Sequence, residues 1–448
     1  LLGRCADHAD ADKPNVVLLM ADDLGWGDVG FNGNATIQTP HLDAMAENGV
    51  TFKRFYAAAP VCSPTRGSCL TGRHPYRYGI FYANVGHLLQ SELNLAKVLK
   101  ANGYTTGHFG KWHLGTLTKT IVDSNRGKNH PEHYAPPWEH GFDACFSTEA
   151  KVPTFNPMDF AVSTRYWTGD GQYATENLDG DDSRVIMDRA IPFIKNAVQH
   201  EQPFLAVIWF HTPHSPVVAG PEHRKLYSNY NENQQHYYGC ITAMDEQIGR
   251  LRRALRELDA SRDTMLWFCS DNGPAGKGGG PAQEPGGRQQ GSPGPFRGRK
   301  GSLYEGGVRV PAIVEWPTVI EPGESEFPAC TSDYYPTILD ILRIEPPEQP
   351  KPVDGISLWP HLQGNMSKRP TPIGFESELH QKTQVALTDN RYKLISVDDE
   401  ESFQLYDLIV DPSESRDVAE DHPDIFREMK HTLQTWRQSC AASNRGED

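Results

Sequence analysis

Several side chains able to do chemistry stand just after short apolar runs in this chain. Asn15 to Met20 leads to Asp22-Asp23, and Thr264 to Cys269 leads to Asp271-Asn272. Pro203 to Phe210 ends at His211, and a run closing at Phe109 is followed by Lys111 and His113. Asp22, Asp23, Asp271 and Asn272 offer oxygen donors alone, the ligand set of a hard divalent ion such as Ca²⁺ or Mg²⁺. Such an ion acts as a Lewis acid and as a template for an anionic substrate. A histidine pair suits proton transfer, because imidazole titrates near neutrality. Each feature also has a plain reading. Asp22-Asp23 and Asp271-Asn272-Gly273 fit tight turns, a lysine is usually a solvated charge, and a histidine is often a satisfied core residue. Cys62-Ser63-Pro64-Thr65-Arg66 alone fits a cysteine in a proline-containing turn before a helix.

The elements that must position these residues change the weighting. Short apolar runs read as buried parallel strands. Helices are expected from Pro40, at a first helical position, to about Asn48, and from Glu92 to Asn102 behind a Ser91 cap. Further helices are expected over Asp182 to Val198 and Gln234 to Leu258. The alternation argues an α/β fold with a large, mostly parallel sheet flanked by helices. Ligands bind such sheets at the carboxyl ends of the strands. The dispersed acids, amide, lysine and histidines should therefore meet at one edge.

Residues 273 to 301 are crowded with Gly, Pro, Arg and Gln. They read as a loop folding over that edge, delivering Lys300 before a strand from Ala312 to Trp316. After about residue 360 the pattern becomes short alternating strands, then a helix from Pro423 to Cys440. This gives a division into a tail (1–13), an α/β catalytic domain (14–360) and a C-terminal α+β subdomain with an antiparallel sheet (361–448).

The 448 residues carry a formal net charge of -15, which argues against nonspecific nucleic-acid binding. An anionic substrate is compatible with that charge, since bulk charge is screened within roughly 10 Å at moderate salt. No apolar run reaches membrane-spanning length. There are eight cysteines and no Cys-x-x-Cys pair, which disfavours a structural zinc site. Cys69 and Cys269 read as small buried residues, and no disulfide connectivity follows from spacing. Ala9-Asp10-Ala11 faintly resembles the end of an export signal, giving the expectation of a periplasmic or extracellular, bacterially exported protein.

Six stretches, in order and spacing, resemble the type I sulfatases of the alkaline-phosphatase-like superfamily. They are Asp22 to Asp28, Cys62 to Arg73, Gly110 to Gly115, His211-Thr-Pro-His214, Ser270 to Gly273 and Gly298 to Pro311. Leu405 to Leu408 resembles that family's C-terminal subdomain. The resemblance implies that Cys62 is converted by a formylglycine-generating enzyme to formylglycine, whose hydrate is the nucleophile. One hydroxyl attacks sulfur; collapse to the aldehyde later expels sulfate, so one hard step becomes two easier ones. Asp22, Asp23, Asp271 and Asn272 would hold Ca²⁺, with Mg²⁺ as the lesser alternative, together with residue 62. Arg66 would anchor the gem-diol, and Lys111 and Lys300 would neutralise sulfate oxygens. His211, alone or together with Lys300, would protonate the leaving alcohol and His113 would take the second hydroxyl proton. Ser147 or Thr148 is available for a further polar contact.

The general look resembles bacterial carbohydrate sulfatases, which implies a sulfated poly- or oligosaccharide, marine algal polymers foremost. Candidate wall residues are His74, Arg77, Tyr78, His130, His133, Lys151, Arg165, Trp167, His214 and His380. Cationic groups would suit a second sulfate or a uronate, and aromatic ones a sugar face. Two alternatives are a phosphonate monoesterase or phosphodiesterase of the same superfamily and a sulfated-glycan-binding protein with Cys62 unconverted. The first tends to place histidine where Asn272 stands. Oligomeric state does not follow from the sequence.

Overall fold

The computed structural model describes residues 13–447 apart from 125, 160–163, 277–287, 289 and 346–347. The tail at 1–12 and the middle of the expected covering loop lie outside the described residues. Five parallel strands form the heart of a ten-stranded sheet, in the order Thr264–Ser270, Asn15–Ala21, Phe204–Trp209, Thr105–Lys111, Ala144–Thr148. Ala312–Glu315 pairs antiparallel with the first of these. The central strands are buried on both faces, which is why they read as continuous apolar runs. Val17, Leu19, Ile208 and Phe268 face one helical layer; Leu18, Met20, Val207 and Trp267 face the other. This is the period-two alternation of strand side chains.

The first layer contains the helices Asp182–Gln199 and Glu232–Glu257. Helix Cys62–Thr71 lies in the second layer, wholly buried. Expected boundaries move in places: the terminal helix expected to end at Cys440 runs on to Asn444, and the helix after Ser91 spans Leu95–Ala101. Asn94 caps it by accepting hydrogen bonds from the Ala96 and Lys97 amides. Asparagine and serine cap about equally well, so it is the position of Asn94, three residues after Ser91, that sets the start.

The C-terminal region forms a four-stranded antiparallel meander of Ile373–Leu379, Lys382–Thr388, Tyr392–Ser396 and Gln404–Asp407, followed by helix Pro423–Asn444. Alternation again assigns its faces. Val385, Leu387 and Leu394 pack on Met429 and Leu433 of the helix. Phe375, Ala386 and Ile395 pack on Tyr56, Leu303 and Val308 of the larger unit. No described helix is long and apolar enough to cross a membrane. The seven described cysteines are all free thiols.

Candidate active site

The parallel strands deliver their C-terminal residues to one edge. Asp22 and Asp23 follow Asn15–Ala21, Lys111 ends Thr105–Lys111, and Asp271 and Asn272 follow Thr264–Ser270. Short polar bonds lock the turns together. The Asp23 amide donates to Asp271 Oδ1 at 3.1 Å, and Asn272 Nδ2 donates to Asp23 Oδ1 at 2.8 Å. The Leu24 amide donates to Ser270 Oγ at 3.0 Å. Asp23 sits at φ +67°, a conformation disfavoured for residues other than glycine and held here by its surroundings.

Cys62 is the first residue of its helix, at the positive end of the helix dipole. Pro64 is tolerated there because first-turn amides need no intrahelical acceptor. One turn on, Arg66 occupies the same face. Its guanidinium donates to Asp271 Oδ2 at 2.6 Å and to the Lys111 carbonyl at 3.1 Å, and lies over the Trp209 ring. Lys111 Nζ donates to Asp22 Oδ2 at 2.6 Å, and Lys300 Nζ to Asp23 Oδ1 at 2.5 Å. Lys300 is held from the C-terminal subdomain: Gln384 Nε2 donates to the Gly301 carbonyl at 2.7 Å, and its Oε1 accepts from the Leu303 amide.

Burial would raise the carboxyl pKa of Asp22, but Lys111, His214 and Arg66 hold it well below the carboxylate range. Burial and the neighbouring Asp22 push Asp271 up, and Arg66 offsets this only in part. Burial also pushes the Cys62 thiol up, against the pull of Lys111 and Lys300. A thiolate nucleophile is therefore disfavoured here. Three buried oxygens, Asp22 Oδ1, Asp23 Oδ2 and Asn272 Oδ1, accept no hydrogen bond among the described residues. Donor atoms of Asp22, Cys62 and Asp271 lie within 4.8 Å of one another. Unpaired buried oxygens on crowded acids are costly unless a cation meets them. All the donors but the Cys62 sulfur are oxygens, so the set fits Ca²⁺ or Mg²⁺.

The two histidines of His211-Thr-Pro-His214 separate. His211 is fully buried with both ring nitrogens occupied, Nδ1 by Asp182 Oδ2 at 2.8 Å and Nε2 by Thr148 Oγ1 at 2.7 Å. Tyr166 closes the network by donating to Asp182. His214 instead reaches the edge, its Nε2 3.7 Å from Asp23 Oδ2 while its Nδ1 binds the Ser215 carbonyl. Burial draws its pKa down to about 4, against Asp22 and Asp23. So the histidine with a nitrogen open to a ligand is His214, which the sequence placed on the wall. His113 lies at φ +58°, with Nε2 on Asn84 Oδ1 at 2.9 Å and Nδ1 buried without a partner.

Several wall candidates lie elsewhere. His74 and Arg77 follow the far end of the Cys62 helix, about 15 Å along a ten-residue helix. Arg77 binds Asp354, Ser439 and Ser443, and His74 packs on Trp436, so both serve the junction with the terminal helix. Tyr78 is buried beside Gly67. Trp167 is buried and donates to Asp123, so its ring is not offered to a sugar. Arg165 is half-buried, stacked over Tyr173, and Lys151 is half-buried just after the Thr148-Ala150 turn beside His211. His130 and His133 stack on each other at the surface. His380 is exposed in a turn of the subdomain, next to Leu379, which faces Gly301. Ser147 binds His108, and Thr148 binds His211. Asn84, Asp182 and Tyr166 carry no sequence signal of their own.

An open α/β sheet with oxygen donors, lysines and an arginine gathered at its carboxyl edge defines a hydrolase of anionic esters. The sulfatase family matches residues 14–344, and the chain belongs to that family, whose members hydrolyse sulfuric esters. The C-terminal region of N-sulphoglucosamine sulphohydrolase matches residues 296–439. The chain is 34% identical to pig (Sus scrofa) N-acetylgalactosamine-6-sulfatase over 383 residues, 80% of this chain and 67% of the relative. It is 33% identical to mouse (Mus musculus) steryl-sulfatase over 439 residues, 79% of this chain and 66% of the relative. It therefore spans about two thirds of the length of these relatives. Among solved structures, Ps i-CgsB in complex with k-i-k-neocarrahexaose is 27% identical, with a TM-score of 0.82, covering 95% of this chain and 93% of that one.

Proposed function

We propose that this sulfatase removes sulfate from a sulfated poly- or oligosaccharide, with residue 62 acting as formylglycine. The observation that carries the reading is the meeting of Cys62, at a helix N-terminus, with Arg66, Lys111, Lys300 and three unpaired buried oxygens. A thiol pushed up by burial is a poor nucleophile; an aldehyde hydrate at the same place is a good one. The Cys62 sulfur then marks the region its two hydroxyls would occupy.

Asp22, Asp23, Asp271 and Asn272 would hold Ca²⁺, which supplies Lewis-acid polarisation of a sulfate oxygen when bound. Lys111 and Lys300, already aimed at the edge, bind sulfate oxygens as charge moves onto them. Arg66 fixes the hydrated residue. His214, with Nε2 open and its other nitrogen anchored on Ser215, protonates the leaving sugar oxygen. A bound anionic ester favours its protonated form. His113 takes the remaining hydroxyl proton so that sulfate leaves. Maturation needs a formylglycine-generating enzyme, and a polymeric substrate places the work in the periplasm or outside the cell. The bound neocarrahexaose of Ps i-CgsB supports the carbohydrate assignment.

The test is sulfate release from a panel of sulfated polysaccharides, with and without a chelator. Release that chelation stops and Ca²⁺ restores is expected. Release confined to phosphonate esters would overturn the reading.

A further inference from the structure

Asn84 stands outside every motif, yet it holds the one polar bond made by the His113 ring among the described residues. His113 is 4% exposed, with a backbone in the left-handed region at φ +58°. Its Nε2 lies 2.9 Å from Asn84 Oδ1, and its Nδ1 is enclosed without a hydrogen-bond partner among the described residues. A carbonyl oxygen accepts, so Nε2 carries the proton and Nδ1 keeps its lone pair. The bond a histidine makes through one nitrogen decides what the other can do.

Asn84 is itself built for this place. It lies at φ +65°, a conformation asparagine tolerates better than most residues. Its backbone amide donates to Ser63 Oγ at 3.4 Å, so the residue that orients His113 is tied to the neighbour of Cys62. Among the described residues no other group bonds Nε2. The His113 amide is spent on the Glu149 carbonyl, and Arg126 is held by Glu149 and the Gly86 carbonyl.

We propose that Asn84 is a positioning residue for sulfate release: by accepting the Nε2 proton of His113 it fixes the ring with a bare Nδ1 as the base. The inference rests on the formylglycine reading above. In the release step the proton of the remaining hydroxyl passes to Nδ1. The O–H electron pair becomes the second C–O bond of the aldehyde. The bond from carbon to the sulfate oxygen breaks, and sulfate leaves with that pair. The imidazolium then returns its proton to water, and the aldehyde is rehydrated.

The variants that test this are Asn84→Gly and Asn84→Asp. Glycine accepts the positive φ without strain, so it deletes the acceptor while sparing the backbone. Aspartate keeps an acceptor oxygen. With an aryl sulfate, Asn84→Gly is expected to slow sulfate release about 10- to 100-fold, by analogy with the loss of an outer partner from a metal-bound histidine. Formation of the covalent sulfate is left near the native rate. The alcohol then appears as a burst, and the peptide spanning residue 62 gains the mass of one sulfate. Asn84→Asp retains most of the native release rate.

¹⁵N NMR of the His113 ring provides a readout independent of turnover. The native protein and Asn84→Asp should show a protonated Nε2 and a bare Nδ1; Asn84→Gly should show averaged tautomer shifts. A protonated Nδ1 in the native protein, or a release rate unchanged in Asn84→Gly, would overturn the proposal. An unconverted Cys62 would count instead against the function proposed above, and the NMR comparison would still decide the role of Asn84.

Discussion

Two buried charge clusters in this molecule are built in opposite ways. At the junction with the C-terminal subdomain, Lys393 is fully buried between Glu305 at 2.9 Å and Glu414 at 3.0 Å. Glu305 also accepts from Tyr56 at 3.0 Å, and Arg309 stands 3.4 Å away. Glu414 accepts from the Glu305 amide at 2.7 Å. There both carboxylates face Lys393, and a single oxygen, Glu414 Oε1, lies beside it at 3.0 Å without a formal hydrogen bond. At the sheet edge, two acids and an amide leave buried oxygens without a hydrogen bond among the described residues, although an arginine and two lysines are close. The closed cluster is equipped to hold two layers together. The open one keeps its unfavourable oxygens for a ligand that brings charge. Desolvated charge can thus serve cohesion or catalysis, and the number of unmet atoms tells which.

The sharpest way to break this contrast is Lys393→Met. It strands two buried glutamates, so a loss of about 3–5 kcal/mol is expected in urea unfolding, while the remaining folded enzyme keeps its kcat. A loss of kcat with unchanged stability would make the junction part of the catalytic machinery. Next in size is the histidine pair. His211→Ala leaves Asp182 and Thr148 without their shared partner, and about 1–3 kcal/mol of stability should go with it. His214→Ala should leave stability near native. It should reduce turnover of sugar sulfates at least tenfold more than turnover of aryl sulfates, whose leaving groups need less protonation. The reverse pattern would restore His211 as the acid. The smallest effect belongs to Gln384→Ala, which frees the strand end that grips the Lys300 loop. About 1 kcal/mol of stability is expected to be lost, with KM rising more than kcat falls, as measured on one substrate series.

The acidic half of the edge was legible because each acid abuts an apolar run, and parallel strands carry their ends to one place. Asp22, Asp23, Lys111, Asp271 and Asn272 needed only that rule. The C-terminal meander was legible for the same kind of reason, since its alternation is clean and its turns are short. The choice between His211 and His214 was not legible. Only two residues separate them, and the decision is made by Asp182, which begins a helix and reads as ordinary first-turn acid, and by Thr148 from another strand. Asn84 was hidden likewise, because a half-buried loop amide has no periodicity and its partner lies 29 residues away. His74 and Arg77 were misplaced because a helix whose N-terminus bears the reactive residue points its other end away from the site. Sequence reads what lies at the end of an element well, and reads poorly what distant elements contribute to a shared side-chain network.

The most direct test of the central claim is the mass of the peptide spanning residue 62, from protein made beside a formylglycine-generating enzyme. The formylglycine mechanism predicts the mass of an aldehyde in place of the thiol, absent in Cys62→Ala, with sulfate release present in the first protein and abolished in the second. An intact thiol in a protein that still releases sulfate would contradict it.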